Sequence, residues 1–160
     1  YFGSLYERKG FTLLKEILCK YGDAYEFYIY TKDQEKVIDL KCKTKYLSHD
    51  SVYKKMLEVD ILLFVYNVKM FNYSQQTSPL KIYEYLSTLK PILYISIGDL
   101  ENELKDTLAL PFKGIDDFDS VLRSLKNIEN PKRLIDNSYK LAAKRTYDER
   151  AKSVLEFIKL

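Results

Sequence analysis

The residues with the clearest chemistry lie in a polar segment that leads into a helix, Thr77 to Leu86 (TSPLKIYEYL). Ser78 is a residue type that caps helices and Pro79 suits the first helical position, so the pattern predicts a helix over about 79–89. Free N–H groups and the positive end of the dipole at such a helix start favour a phosphate or diphosphate. Lys81, in the first turn, adds a positive charge.

Glu84 lies one turn deeper in the same predicted helix. Helical side chains lean towards the N-terminus, so its carboxylate can reach back towards the helix start. A carboxylate accepts two O–H donors at once, which suits the vicinal hydroxyls of a ribose. The segment therefore predicts recognition of a nucleoside diphosphate. The plain alternative is that Ser78 and Pro79 only begin a helix and that Glu84 is a solvated side chain.

A second loop with similar properties lies near the start of the chain, over residues 3–10 (GSLYERKG). Its glycines permit a close backbone approach, and Arg8 or Lys9 can supply a cation to a phosphate. Two phosphate-compatible loops favour the binding interpretation of the 77–86 segment over the plain one.

Helical and extended patterns alternate along the whole chain, which is typical of βαβ units around a parallel sheet. The predicted strands are a first strand that ends at the turn of Gly3, then 24–31, 37–42, 61–67, 92–97 and 108–112. The predicted helices are 10–21, 48–59, 79–89, 100–107, 116–127, 131–145 and a last helix with apolar residues Ala151, Val154, Leu155 and Ile158. We therefore expect an α/β fold, a Rossmann-like doubly wound parallel sheet in one domain, with ligands at the carboxyl ends of the strands.

Composition narrows the class of protein. The 160 residues contain 46% hydrophobic and 31% charged residues, so neither a disordered nor a fibrous chain is expected. The net charge is only +3, so the 15 tyrosines and 8 phenylalanines indicate core and rim rather than a surface for stacking nucleic-acid bases.

The cysteines and the length of the apolar runs indicate the cellular compartment of the protein. Cys19 and Cys42 lack CxxC spacing and histidine neighbours, which indicates reduced thiols of a cytoplasmic protein and no zinc site. The longest purely apolar run is six residues, Ile61 to Tyr66, whereas a bilayer span needs about 20, so no transmembrane segment is expected. The chain begins inside what the pattern indicates is a first strand, so we expect a fragment of a longer protein.

Three stretches resemble the nucleotide-sugar-binding, C-terminal half of retaining glycosyltransferases of the GT-B fold, the group called glycosyltransferase group 1. They are YFGSLYERKGFTLL over 1–14, MLEVDILLF over 56–64 and SPLKIYEYLSTLKPIL over 78–93. The resemblance covers nearly all of the chain, in the family's order and at about its spacing. It implies a donor-binding domain over 1–146 and a C-terminal helix over 147–160 that packs back towards a missing N-terminal domain.

The resemblance also implies roles for single residues. By the family's pattern Glu84 binds the ribose hydroxyls, and the N–H groups of Thr77, Ser78 and Leu80, with Lys81 nearby, receive the diphosphate. Further residues that it implies for the site are Gly3 and Ser4 in the first loop, Lys9 at the diphosphate, Gln76 near the donor sugar, and Tyr46 and Leu47 at the base. Two of these depart from the family, which often has arginine at the position of Ser4 and glutamate at that of Gln76.

The function implied is transfer of a hexose or similar sugar from a nucleoside diphosphate of the UDP or GDP type to an acceptor hydroxyl with retention. No cofactor and no metal are expected, because a helix dipole and a lysine can stabilise the departing diphosphate. The expected partners are the nucleotide sugar and, through the missing half, an acceptor glycan or lipid-linked sugar, with no nucleic acid. The setting implied is bacterial polysaccharide or lipopolysaccharide synthesis in the cytoplasm, with the whole enzyme able to associate with the inner face of the plasma membrane.

Two alternatives stay open. A nucleotide-sugar epimerase shares the architecture, but the sequence shows no clustered carboxylates to serve it. A degenerate, non-catalytic module that only associates with a partner is favoured by the two departures, Ser4 and Gln76. The fragment alone is expected to bind nucleotide weakly and to turn over nothing.

Overall fold

The structure, a computed structural model, describes residues 1–70 and 80–158, apart from the side chains of His49 and Arg150. Its α-helices are α1 (Phe11–Tyr21), α2 (His49–Glu58), α3 (Leu80–Leu86), α4 (Leu100–Glu103), α5 (Ile115–Ser124), α6 (Pro131–Lys144) and α7 (Tyr147–Ile158). Its strands are β1 (Tyr28–Tyr30), β2 (Lys43–Lys45), β3 (Leu62–Phe64), β4 (Ile92–Ile95) and β5 (Ala109–Phe112). Short 3₁₀ helices cover Glu7–Lys9, Gln34–Val37, Val68–Met70 and Leu125–Asn127. Over the ranges 1–70 and 80–158, no helix combines the length and the hydropathy that a bilayer crossing needs.

The described strands pair in parallel. β1 pairs with β2, with Tyr28 opposite Lys43, and β4 lies between β3 and β5. On its other edge β1 meets residues 1–3, because the Tyr30 N–H donates to the Tyr1 carbonyl at 2.9 Å and the Gly3 N–H donates to the Tyr30 carbonyl at 3.0 Å. The parallel pairing between successive strands confirms the α/β class that the alternating pattern predicts.

Both faces of the central strand β4 are covered. All four residues of β4 are buried, and successive side chains of a strand point to opposite faces, so neither face of β4 meets solvent. α1 packs against α5, and α3 packs against α6. Leu14, Ile17 and Leu18 of α1 are fully buried, as the helical spacing of their sequence predicts.

A buried tyrosine links α3 to the first segment of the chain. The Tyr85 side chain is fully buried, and its hydroxyl accepts a hydrogen bond from the Phe2 N–H at 3.2 Å. Burial raises the pKa of the Tyr85 phenol, so the group is neutral in the folded protein. The helix that carries Lys81 and Glu84 is thus held against the segment that leads into the loop of Gly3.

The strand predicted over 37–42 is wrong. Val37 ends a 3₁₀ helix and is buried, Ile38 is 75% exposed, and the strand that pairs with β1 is Lys43–Lys45. The physical reason is that β2 is a short edge strand, where solvated lysines are favourable and an apolar pattern is not required. The strand predicted over 24–31 is also shorter than expected, since only Tyr28–Tyr30 pairs.

Both cysteines are free thiols. Cys19 is exposed on α1, and Cys42, which the pattern places in a strand, lies in the turn before β2. Partial burial raises the pKa of the Cys42 thiol, which favours its protonated form.

Candidate functional site

A pocket of about 220 Å³ lies at the carboxyl ends of β1, β2 and the segment of residues 1–3. Five residues that the sequence singles out line it: Gly3, Ser4, Tyr46, Leu47 and Lys81. They come from two loops and one helix far apart in the chain, and the parallel sheet brings them to one edge. The pocket therefore lies where the sequence analysis expects a ligand.

Five further residues line the pocket and are absent from the sequence prediction: Phe2, Tyr30, Thr31, Lys32 and Val52. Thr31 and Lys32 follow β1 directly, so the rule that ligands bind at carboxyl ends of parallel strands could have found them. The other three look like core residues in the sequence, and nothing in their pattern indicates that they border a pocket.

Charge around this pocket is positive. Lys32 and Lys81 line it, whereas none of the described residues lining it carries a carboxylate. The Lys32 ammonium also lies 5.6 Å from the centroid of the Tyr46 ring, which is half exposed. A positive pocket with an aromatic ring at its wall suits an anionic ligand that carries a flat ring.

A larger pocket, of about 430 Å³, lies at the amino ends of β1 and β3. Three carboxylates line it, those of Glu26, Glu58 and Asp60, against the single ammonium of Lys55. None of the residues predicted for the site is among its lining residues in the described part of the chain. Its charge is unfavourable for a phosphate, so size alone does not make it the candidate site.

Lys9 is not among the described residues that line the 220 Å³ pocket. The Lys9 Nζ donates to the Tyr66 hydroxyl at 3.1 Å and lies 4.7 Å from the centroid of that ring. Lys9 is half-buried, and no carboxylate within the described ranges forms an ion pair with it. An ammonium without an acidic partner attracts an anion.

Gly10 explains how the loop of Lys9 reaches Tyr66. Its φ is +77°, and a Cβ on it would lie 2.7 Å from the Tyr66 backbone nitrogen. The Asn67 N–H also donates to the Arg8 carbonyl at 3.3 Å. The first loop is thus held against the chain that follows β3, and Tyr66 is a residue that sequence reasoning missed because it lies in an apolar run.

Glu84 is not among the described residues that line the pocket. Its carboxylate forms an ion pair with Lys81 at 3.7 Å, and its side chain is 50% exposed. Leu80 begins α3 and is 37% exposed, and it too is absent from the described lining. The structure therefore brings Lys81 to the pocket and places Glu84 one contact away from it.

The remaining predicted residues are Gln76, Thr77 and Ser78, which lie outside the described residues. In the described ranges, no group of three or more His, Cys, Asp or Glu side chains is arranged to hold a metal ion.

The chain was compared with protein-family models, curated proteins and solved structures, and only the solved structures match it. No protein-family model and no curated protein matches the chain. A solved structure described as trehalose-6-phosphate from E. coli bound with UDP-2-fluoro glucose matches with a TM-score of 0.67 and 10% identity, over 99% of this chain and 43% of that one. The trehalose-6-phosphate synthase OtsA matches with a TM-score of 0.67 and 12% identity, over 99% of this chain and 42% of that one.

TarM matches with a TM-score of 0.61 and 16% identity, over 98% of this chain and 33% of that one. These structures are GT-B glycosyltransferases. The chain has a Rossmann-like α/β fold, that of one half of the GT-B fold. The chain spans about two fifths or less of the length of the structures that it matches. The fold class expected from the sequence is confirmed.

Proposed function

We propose that the chain is the donor-binding half of a glycosyltransferase that moves a hexose or similar sugar from a nucleoside diphosphate to an acceptor hydroxyl with retention. The observation that carries the proposal is the positive pocket at the carboxyl edge, around which Gly3, Ser4, Tyr46, Leu47 and Lys81 meet. A neighbour of the same fold was solved with UDP-2-fluoro glucose, which supports a nucleotide sugar as the ligand class.

The proposed roles are those that the resemblance implies. Tyr46 and Leu47 would hold the base, and the backbone of Gly3 and Ser4 would approach the phosphates. The ammonium of Lys9 would stabilise the diphosphate as it departs, since charge develops on that group during transfer. The resemblance assigns the same diphosphate to Thr77, Ser78 and Leu80, and it places Gln76 near the donor sugar. No cofactor enters this scheme.

The ion pair between Glu84 and Lys81 is compatible with this proposal if it belongs to the protein without bound nucleotide. Lys81 lines the pocket, so a phosphate arriving there competes with Glu84 for its ammonium. The released carboxylate would then accept hydrogen bonds from the two ribose hydroxyls. Both side chains are partly exposed, so the ion pair is weak and the exchange costs little.

Replacing Glu84 with alanine is expected to weaken UDP or GDP binding by about 1.5–3 kcal/mol, which is roughly 10- to 150-fold in Kd, because a charged hydrogen bond to the ribose is lost. Isothermal titration calorimetry of the 160-residue chain measures the change. Glu58→Ala is the matched control, because Glu58 pairs with Lys55 at the same spacing, in a helix that ends away from the pocket. Nucleotide affinity in Glu58→Ala should equal that of the wild type.

Two results would count against this function. A wild-type chain that gives no heat with either UDP or GDP would favour the non-catalytic module over a transferase half. Equal affinities in Glu84→Ala and the wild type would remove the ribose role of Glu84 while leaving the pocket as a nucleotide site.

A second part of the proposal concerns residues 147–160. Tyr147, Val154, Leu155, Phe157 and Ile158 of α7 are 57–79% exposed, so an apolar surface of this helix has no partner within the described residues. We propose that this surface packs on the other half of the enzyme, as the resemblance implies. An exposed apolar helix face of this kind is typical of an interface.

Two measurements test whether α7 packs on the other half of the enzyme: self-association of the isolated chain and the unfolding temperature of a longer chain. Replacing Leu155 and Phe157 with serine is expected to reduce concentration-dependent self-association of the isolated chain, because the apolar face of α7 is removed. Sedimentation velocity measures this association. In a chain that includes the other half, the same double variant should lower the unfolding temperature. An unchanged unfolding temperature there would contradict the docking role.

The wider setting is proposed on the resemblance alone. The acceptor would be a glycan or lipid-linked sugar held by the other half, in bacterial polysaccharide or lipopolysaccharide synthesis in the cytoplasm or at the inner face of the plasma membrane. Unaltered cell-surface glycans after deletion of the gene would contradict this setting.

A further inference from the structure

The backbone of one residue in the first loop, Leu5, is held by two charged side chains from another part of the chain. The Leu5 N–H donates to the Asp33 carboxylate at 2.9 Å, and the Leu5 carbonyl accepts from the Lys36 ammonium at 3.1 Å. Asp33 and Lys36 also pair with each other at 3.4 Å. We call this arrangement of Leu5, Asp33 and Lys36 the loop clamp.

Asp33 serves the first loop rather than its own helix. It occupies the residue before the 3₁₀ helix Gln34–Val37, where an aspartate commonly caps, yet its carboxylate makes no cap hydrogen bond there. The hydrogen bond from the Leu5 N–H, followed by the contacts with Lys36 and Thr31, holds the pKa of the Asp33 carboxyl below its ordinary value. The carboxylate is therefore charged at neutral pH, when its bond to the loop is strongest.

Other contacts tie both ends of the clamp to the body of the protein. Leu5 is buried in the core, and Val37 at the end of the same 3₁₀ helix is also buried. The Lys36 ammonium lies 4.9 Å from the centroid of the Tyr6 ring, which extends its hold on the first loop by one residue. The clamp therefore joins two anchored segments rather than two mobile side chains.

The clamp joins two walls of the 220 Å³ pocket. Gly3 and Ser4, in one wall, directly precede Leu5, while Thr31 and Lys32, in the other, directly precede Asp33. Asp33 and Lys36 themselves do not line the pocket in the described part of the chain. Their effect on a ligand would pass through the backbone that they hold.

We propose that Asp33 and Lys36 are positioning residues that fix the Gly3–Ser4 backbone against the Thr31–Lys32 wall, so that the pocket is formed before a nucleoside diphosphate binds. This inference rests on the proposed function for the identity of the ligand. Preorganisation of a loop lowers the ordering cost that binding would otherwise carry, so the clamp raises affinity without touching the ligand. The phosphate-bearing part of the ligand gains most, because the clamped backbone is the one proposed to approach the phosphates.

The experiment compares Asp33→Ala and Lys36→Met with the wild type in binding UDP, GDP and the matching nucleosides. Asp119→Ala is the control, because Asp119 pairs with Arg123 one turn away on α5, outside the pocket. We expect each clamp variant to raise the Kd for the diphosphates about tenfold, to change the Kd for the nucleosides less than twofold, and to speed hydrogen exchange of the Leu5 amide at least tenfold. Asp119→Ala should change none of these quantities. Asp33→Asn, which keeps an oxygen acceptor for the Leu5 N–H, should restore part of the Leu5 protection.

The outcomes separate the clamp from the function. A wild type that binds diphosphates with an affinity equal to that of Asp33→Ala and Lys36→Met would overturn the clamp and leave the proposed function intact. Equal losses for diphosphates and nucleosides would also overturn it, because they would indicate general damage to the fold. A wild type that binds no nucleotide would overturn the proposed function itself, and with it the role of the clamp in binding.

Discussion

Replacing Gly10 with alanine is expected to lower the free energy of unfolding by about 3 kcal/mol. The residue has a φ of +77°, a conformation that alanine adopts only with strain. The added Cβ would also lie 2.7–2.9 Å from three backbone atoms of Tyr66, and a backbone cannot move aside as a flexible side chain can. Strain and steric overlap therefore act together at this position.

Urea denaturation followed by circular dichroism measures the loss. Gly114→Ala is the matched control, since its φ of 176° is extended backbone and a Cβ there would meet nothing within 4 Å. We expect less than about 1 kcal/mol for that variant. Similar losses in the two variants would show that the contact between Gly10 and Tyr66 is not the close packing that the structure indicates.

Replacing Lys9 with methionine is expected to weaken UDP and GDP binding by about 1.5–3 kcal/mol, roughly 10- to 150-fold in Kd. The reason is that the proposed function assigns Lys9 to the diphosphate, and its ammonium, which donates to the Tyr66 hydroxyl, has no carboxylate partner in the described part of the chain. Methionine keeps the apolar stem and removes only the charge. Nucleoside binding, which needs no diphosphate contact, should change little.

Lys15→Met is the control for the loss of a lysine. The Lys15 ammonium lies 5.0 Å from the centroid of the Phe11 ring, much as Lys9 lies over Tyr66, but Lys15 is exposed on α1 and has no role in the proposed function. Calorimetry of the two variants with each ligand checks the prediction. If Lys15→Met weakened diphosphate binding as much as Lys9→Met, the effect would come from net charge rather than from the site.

The two expected results depend on one local arrangement. Gly10 allows the first loop to lie against Tyr66, and that position places the Lys9 ammonium within hydrogen-bond distance of the Tyr66 hydroxyl. The Gly10 variant should therefore lose nucleotide affinity as well as stability, whereas the Lys9 variant should lose affinity alone. This difference separates a positioning effect from the loss of a ligand contact.

Local sequence patterns predicted most of the elements correctly. The apolar residues of α1 recur at helical spacing and are buried, and the continuous apolar run at β4 is buried on both faces. Such patterns can be read from the sequence because burial of a helix stripe or a central strand depends on residues close together in the chain. The parallel α/β class follows from the order of these elements, and the edge of the sheet that carries the pocket follows from the class.

The pairing of strands and the partners of individual side chains could not be predicted from local sequence patterns. The strand beside β1 is Lys43–Lys45 rather than 37–42, because an edge strand is selected by backbone pairing and not by its own hydrophobicity. Glu84 pairs with Lys81 and is not among the described residues that line the pocket, an outcome that depends on which charges the fold brings near it. The contact of Lys9 with Tyr66 spans 57 positions of the chain and that of Leu5 with Asp33 spans 28, so no local pattern contains them.

The amino-acid sequence by itself thus determined the class of fold, the order of its elements and the edge of the sheet at which the candidate pocket lies, since these depend on periodicity and chain direction. The tertiary structure alone decided which cation has no acidic partner among the described residues, which loop backbone is clamped and which walls form the pocket. Those features arise from contacts between residues that are distant in the chain, and their geometry exists only after the parallel strands have brought the loops together.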